Sequence, residues 1–230
     1  MKRSAKTWKR STFEFMSIFV AVISAFALNN WNDNRKDRNA EGKILLEIYN
    51  GLEKDLADIR DNMHGHQDGL NAVQYFNNLL AKEPVPGDSA MIHFFRLTRD
   101  YISIQNTSGY ETLKSRGFEL IENDSLRSNI ISLYEYDYSS LRKLEEEYFE
   151  SQFQENYFKE INAAISPFIQ FDEDHNISGI DTPLEIDPDK EKELLIYLWK
   201  IGINRNFILQ FYGVVEQRIE KLRAEIESEI

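Results

Sequence analysis

The chain has 230 residues, of which 42% are hydrophobic, 13% aromatic and 29% charged. This composition supplies a core for one domain, and its charged fraction argues against a polytopic membrane protein. Because there is no cysteine, disulfides, thiolate nucleophiles and cysteine-ligated metal centres are excluded. Five prolines and ten glycines are few for an all-β chain, so long helices are expected.

Charge is spread unevenly along the chain. Residues 1–43 hold nine Lys/Arg and four Asp/Glu, whereas the rest holds 18 basic and 35 acidic residues, a net charge of −17. Nucleic-acid binding depends on Lys and Arg neutralising phosphates. We therefore expect no nucleic-acid partner, and the sequence leaves a small-molecule ligand unknown.

An apolar segment near the N-terminus predicts a transmembrane helix. Residues 15–28 carry no charge but span only about 21 Å, whereas residues 12–31 approach the ~30 Å of a bilayer core. Five basic residues precede the segment, so the positive-inside rule predicts a cytoplasmic segment 1–11 and a periplasmic main domain, with the helix in a bacterial inner membrane. The residues expected to anchor it in the lipid are Glu14, Phe15, Ile18, Val22, Phe26 and Trp31.

A cleaved signal peptide is the alternative, with Ala25-Phe26-Ala27 as the cleavage site. Glu14 interrupts the junction of basic and apolar regions, and the sequence after Leu28 continues as a helix would. Both features favour an uncleaved anchor. For Glu14, near the end of the helix, we expect a structural or helix-association role rather than an ion path.

Two sequence blocks bring a family resemblance. The first is Asn-Asn-Trp-Asn-Asp at 29–33, after a short apolar helix with an acidic residue at its start. The second is Tyr-Glu-Thr-Leu-Lys-Ser-x-Gly at 110–117, followed by Leu-Ile-x-Asn-Asp-x-Leu-Arg at 120–127. Together they resemble an uncharacterised family of single-pass membrane proteins from Bacteroidota. The resemblance implies a membrane location and a helical extracytoplasmic domain, and no catalytic activity.

Beyond the membrane, residues 32–44 predict a helical stalk and residues 45–230 an acidic helical-bundle domain. The bundle begins with an apolar seam at alternating spacings of four and three. We expect this seam to pack within its own domain rather than in an intermolecular coiled coil. Its members are Leu45, Tyr49, Leu52, Leu56, Ile59 and Met63.

Later helices are delimited by breakers and capping residues. The overall prediction is an all-α fold in which the transmembrane helix continues into a stalk and then an antiparallel helical bundle. The predicted helices cover Leu70 to Ala81, Asp88 or Ser89 to Tyr101, Gly109 to Gly117, Asp124 or Ser125 to Ala164, and Lys190 to Ile230, with an acidic loop at 171–189.

Two clusters raise the question of metal binding. His64 and His66 are two residues apart, whereas helical zinc sites use a spacing of four, so we interpret them as exposed side chains at a helix junction. The loop from Asp172 to His175 begins like a calcium loop but has Ile177 in place of the expected Gly, and a looser calcium site is left open. The sequence predicts no catalytic, cofactor or metal residues.

These features predict a non-enzymatic, membrane-anchored interaction or scaffold protein of the bacterial envelope, working as an oligomer or within a membrane complex. Its expected partners are the lipid bilayer and either further copies of itself or other envelope proteins. The alternative is a periplasmic sensor or channel-like gating subunit acting through a membrane partner. A metal-dependent hydrolase would require the loop from Asp172 to His175 to bind metal.

Overall fold

The computed structural model describes the backbone of residues 4–230 and the side chains of residues 13–230. With 79% helix and 3% strand, it confirms the predominantly helical prediction. The side chains of the predicted basic segment 1–11 lie outside the described residues. The elements are α1 (Ser4–Leu80), α2 (Ala90–Leu97), α3 (Ser108–Arg116), α4 (Asp124–Ile131), α5 (Tyr138–Glu146), α6 (Phe153–Ile165), β1 (Ile169–Phe171), β2 (Ile177–Ile180) and α7 (Pro188–Glu227).

Helix α1 runs without interruption from the apolar segment into the core of the domain. The predicted separate helix from Leu70 is therefore wrong, because the backbone remains helical through Gly65 and Gly69. Every side chain from 13 to 39 is exposed. In the polar stalk, Asp33 accepts a hydrogen bond from Asn29 at 3.0 Å and pairs with Lys36 at 3.3 Å. Such contacts one turn apart stabilise a helix that has no tertiary partner.

The first part of α1 has the composition of a membrane anchor. Among the described residues, it is the helix long and apolar enough to cross a membrane, with a window of mean hydropathy 1.5 and no buried residue. A signal sequence meets the same criteria. The predicted anchor residues are exposed, as a lipid-facing position requires; they are Glu14, Phe15, Ile18, Val22, Phe26 and Trp31.

The later part of α1 packs against α7. Arg60 donates to Glu216 and Glu220 at 2.6 Å each, and Glu53 pairs with Arg223 at 3.8 Å. Residue numbers that increase along α1 thus meet residue numbers that decrease along α7, so the two helices are antiparallel. The seam residues line the inner side of this contact. Leu45, Leu52, Leu56 and Ile59 are buried, and Tyr49 and Met63 pack against the core.

The predicted helix from Asp124 to Ala164 is divided. Helices α4 and α5 are joined by one π-helical segment, Ser132–Asp137, but a 3₁₀ turn at Phe149–Ser151 separates α5 from α6. The N-cap of α4 is Asn123, whose side chain accepts from the backbone N–H groups of Ser125 and Leu126. This is the usual capping arrangement, placed one residue earlier than predicted.

Two further boundaries differ from the prediction. Helix α2 ends at Leu97 rather than Tyr101. The predicted acidic loop contains an antiparallel hairpin, in which Ile169 is opposite Ile180 and Phe171 is opposite Ile177. Because these strands have three and four residues, they leave little alternation to recognise in the sequence.

Helix α3 lies close to α1 at a glycine. A Cβ atom at Gly109 would lie 2.8 Å from Ile48 Cγ1 and 2.9 Å from the Ile48 backbone nitrogen. We expect Gly109→Ala to lower the free energy of unfolding by about 1–3 kcal/mol, because the added methyl group overpacks this contact. Chemical denaturation of the full chain in detergent, followed by circular dichroism, measures the change.

Gly42→Ala is the matched control, since a Cβ atom at this helical position meets nothing within 4 Å. We expect it to leave stability unchanged or to raise it by up to about 1 kcal/mol. Equal effects of the two substitutions would contradict the close packing at Gly109.

Candidate functional site

The polar core is the set of buried polar side chains Asp55, His66, Glu145 and Arg205, of which Arg205 lies on α7. Arg205 is fully buried, and its Nη2 donates to the backbone oxygens of Arg96, Leu97 and Arg99 at 3.3, 3.0 and 2.9 Å. These carbonyls lie at or just past the C-terminal end of α2, where helical carbonyls lack intrahelical partners. A cation is electrostatically favoured at this end of a helix. Arg205 therefore caps α2.

The cavity around Arg205 is built by α1 and α6. Its guanidinium carbon lies 4.2 Å from the ring centroid of Phe153, within the range of a cation–π contact. On α1, a Cβ atom at Gly69 would lie 2.3 Å from Arg205 Nε. Glycine is required there because the guanidinium occupies the space that a side chain would fill.

His66 completes this cluster. Arg205 Nη1 lies 3.0 Å from His66 Nδ1, and because a guanidinium can only donate, Nδ1 accepts and the imidazole proton sits on Nε2. Burial, together with the positive charge of Arg205, lowers the pKa of His66 to about 3. Burial lowers the pKa of Arg205 to about 10, so Arg205 is charged and His66 neutral near pH 7.

Two buried carboxylates fasten the segment 98–107, which has neither helix nor strand from Arg99 to Thr107. Asp55 accepts from the backbone N–H of Asn106 at 2.8 Å and from the Tyr138 hydroxyl at 2.6 Å. Glu145 accepts from the Ser103 hydroxyl at 3.0 Å and from Tyr212. In this segment, hydrogen bonds to side chains therefore take the place of the backbone–backbone hydrogen bonds of a helix or strand.

Burial raises the pKa of both carboxyl groups above their ordinary values, although the hydrogen bonds to Asp55 and Glu145 oppose the shift. Burial also raises the pKa of Tyr138 and Tyr212. All four groups are hydrogen-bonded within the fold, and Asp55 and Glu145 hold segment 98–107 in place.

The structure corrects the interpretation of the two histidines. His64 is exposed, but His66 is buried, and no helix junction separates them. The two side chains point apart because both lie on the continuous α1, where a spacing of two places them on different faces.

Near the hairpin, Asp172 Oδ1 accepts from the backbone N–H groups of Asp174 and Asn176 at 3.0 and 2.8 Å. The acidic loop is thus held by an Asx-type turn. Within the described residues, no group of three or more His, Asp or Glu side chains is arranged to hold a metal ion.

An exposed apolar stripe runs along the N-terminal half of α7. Its residues recur at spacings of three and four and are 48–63% exposed, so the opposite face of α7 is the one that packs into the core. We call this surface the α7 stripe. It consists of Ile196, Trp199, Ile203 and Phe207.

Comparison of the chain with protein-family models, with curated proteins and with solved structures gives no significant match. These comparisons therefore carry no information on the function of this chain.

Sequence reasoning missed the polar core, although a signal for it was present. On α7, Arg205 occupies a position in an apolar helical stripe between Ile201 and Ile208. On α1, Asp55 lies three residues after Leu52, within the predicted seam. A charged residue at a core position of an amphipathic helix is buried only when it is paired or hydrogen-bonded, and these two positions meet that condition.

The protonation of His66 predicts a pH dependence of stability. Its pKa is about 3 in the folded protein and ordinary when unfolded, so the unfolded chain binds more protons between about pH 3 and 6.5. The free energy of unfolding should therefore decrease on acidification below about pH 6.5, by up to about 1.4 kcal/mol per pH unit. The raised pKa values of Asp55 and Glu145 act in the opposite direction, above the ordinary carboxyl pKa.

Thermal unfolding between about pH 5 and 7 tests this, with His66→Gln expected to flatten the decline because Gln does not titrate. The matched control is His64→Gln, two residues away and exposed, which should keep the wild-type slope. Equal slopes for wild type and His66→Gln would show that His66 is not responsible.

Proposed function

We propose that this chain is a non-enzymatic, membrane-anchored scaffold or interaction protein of the bacterial envelope. The observation that carries the proposal is the single helix α1, whose exposed apolar part is continuous with the helix that forms the core of the domain. The anchor and the domain are therefore joined without a flexible linker. We place the N-terminus in the cytoplasm and residues 45–230, as an antiparallel helical bundle, in the periplasm.

The continuous helix also determines how far the domain reaches. At 1.5 Å per residue, Ile44, where burial begins, lies about 20 Å beyond Trp31, and His66 lies about 50 Å beyond it. Because α7 runs opposite to α1, its N-terminal half with the α7 stripe is at the far end. The proposed protein thus presents its exposed apolar surface well away from the bilayer.

We assign the α7 stripe to contact with a second copy of the chain. Its spacing of three and four is the one used by helix–helix seams, and large exposed apolar patches mark interaction sites on soluble domains. The buried carboxylates support a non-enzymatic role, since each accepts hydrogen bonds from the fold itself.

We expect the full chain in detergent to have a native mass of two or more chains of 27.1 kDa each, measured by light scattering with the detergent contribution subtracted. Trp199→Glu should reduce this mass to the monomer value, because it places a charge in the centre of an apolar contact.

Tyr136→Glu is the control, as Tyr136 is a similarly exposed aromatic residue (66%) outside the stripe. Its mass should match the wild type. A monomeric wild-type protein would contradict self-association, and an oligomer that survives Trp199→Glu would place the contact elsewhere.

A gating or sensor subunit is the second candidate, and it is favoured by the same helix, since an unbroken helix can transmit displacement of the domain to the membrane. This role requires a stiff stalk. The cysteine-free sequence allows clean labelling of two exposed α1 positions, Asn32→Cys and Lys54→Cys.

Electron–electron distance measurements in lipid, on doubly labelled full chain diluted with excess unlabelled chain to suppress distances between copies, should give one narrow distribution near 33 Å if the stalk is helical throughout. A variant with a short Gly-Ser insertion after Arg38 supplies the broad reference distribution. A similarly broad wild-type distribution would exclude gating through α1 while leaving a tethered scaffold intact.

A further inference from the structure

A groove lies between α2, α6 and β2, with a volume of about 860 Å³. This size falls within the ~300–1,000 Å³ of small-molecule sites. Three of its apolar residues are 41–62% exposed, so the groove is open to solvent. Its apolar lining consists of Met91, Ile92, Phe94, Phe95, Phe158 and Ile177.

The groove walls are fixed at one end by hydrogen bonds. Asp100 accepts from the backbone N–H groups of Phe153 and Gln154, at 2.7 and 3.3 Å, at the start of α6. The Thr98 hydroxyl donates to the Gln154 amide oxygen at 2.9 Å. With Arg205 capping α2, both helical walls are held before any ligand arrives. Such preorganisation lowers the cost of binding.

The same end of the groove offers hydrogen-bond donors. Arg99 is exposed and forms no ion pair within residues 13–230; its guanidinium instead stacks on Phe95 and Tyr101, at 4.9 and 5.8 Å from the ring centroids. The amide NH₂ of Gln154 makes no hydrogen bond to a described residue. In a chain of net charge −12, a cation without a carboxylate partner beside an apolar groove is complementary to an anionic group.

The position of the groove restricts what can occupy it. Arg96 of α2 pairs with Asp68 of α1 at 3.1 Å, and Asp68 lies about 55 Å along the helix from Trp31. Lipids that remain in the membrane holding α1 would not reach the groove. This excludes lipid of that membrane as the occupant and leaves a molecule that reaches the groove from the aqueous compartment or a second copy of the chain.

We propose that the groove binds a single-chain amphiphile with one negative charge, of the long-chain fatty carboxylate class. The hydrocarbon chain lies along the apolar lining, and the carboxylate accepts hydrogen bonds from the Arg99 guanidinium and the Gln154 amide. The Asp100 carboxyl group lines the same end of the groove, and it disfavours a head group with two negative charges, such as a phosphate monoester, more than one with a single charge.

The test uses the full chain in phosphatidylcholine nanodiscs with a diazirine-bearing palmitate. Labelling of the peptide that contains Met91 and Phe95 is measured by mass spectrometry relative to labelling of the membrane segment 13–31, which serves as an internal reference. We expect groove labelling that excess palmitate suppresses. Arg99→Gln should reduce it about tenfold, the effect of losing a charge-assisted hydrogen bond.

A diazirine-bearing fatty alcohol should label the groove about tenfold less than the carboxylate, for the same reason. The control variant is Lys159→Gln, which removes an equal charge from a 91%-exposed side chain on α6 next to Phe158; its labelling should match the wild type. Equal labelling of wild type and Arg99→Gln, or by both probes, would overturn the proposal.

A second copy of the chain is the competing occupant. Benzoylphenylalanine incorporated at Met91 distinguishes it, because irradiation would then yield a covalent homodimer through the groove. Such a dimer, formed with or without palmitate, would overturn the proposal, whereas a monomer labelled only by the carboxylate probe supports it.

Discussion

The buried guanidinium of Arg205 is the constraint on which the arrangement of the domain depends. It caps the carbonyl end of α2 and stacks on Phe153 of α6. On α1, it hydrogen-bonds His66 and occupies the space that a side chain at position 69 would fill. Desolvating a cation is costly unless it is hydrogen-bonded, and the partners of Arg205 Nη1 and Nη2 lie on α1 and at the end of α2, so these helices keep fixed positions relative to α7. This is how an α2 of eight residues and an irregular segment after it acquire a fixed geometry.

Helix α1 connects the domain to the apolar segment near the N-terminus. Its exposed part and its buried part belong to one helix, and α7 returns along it through charged contacts such as Arg60 with Glu216 and Glu220. Most helical stability in proteins comes from packing an amphipathic face, and the later half of α1 supplies such a face. The earlier half has none, and local pairs such as Asn29 with Asp33 support it in water. The domain is thereby held at a distance from the apolar segment.

Periodicity predicted the helical elements well where they are long. The seam from Leu45 to Met63 lies along the core side of α1, and the last helix begins at Pro188, two residues from its predicted start. The predicted boundaries were wrong where side chains, rather than a further helical turn, bond the backbone. Helix α2 ends four residues earlier than predicted, because Arg205 donates hydrogen bonds to its last carbonyl groups. Helix α5 ends before the 3₁₀ turn at Phe149–Ser151. Gly65 and Gly69 lie within the continuous α1, at sites where the helix comes close to Tyr101 and Arg205.

Three properties follow from composition or from the order of residues along one helix: the helical class, the apolar segment near the N-terminus and the acidic character of the domain. The packing of the helices was needed to show that His66 is buried and that Arg205, Asp55 and Glu145 hold the segment 98–107. It was also needed to show that Arg99 lies at the end of an apolar groove. These outcomes depend on which residues from distant parts of the chain meet, as with Arg205 and His66, which are 139 positions apart. Burial and hydrogen bonding depend on these tertiary contacts, which the pattern of residues along the sequence does not specify.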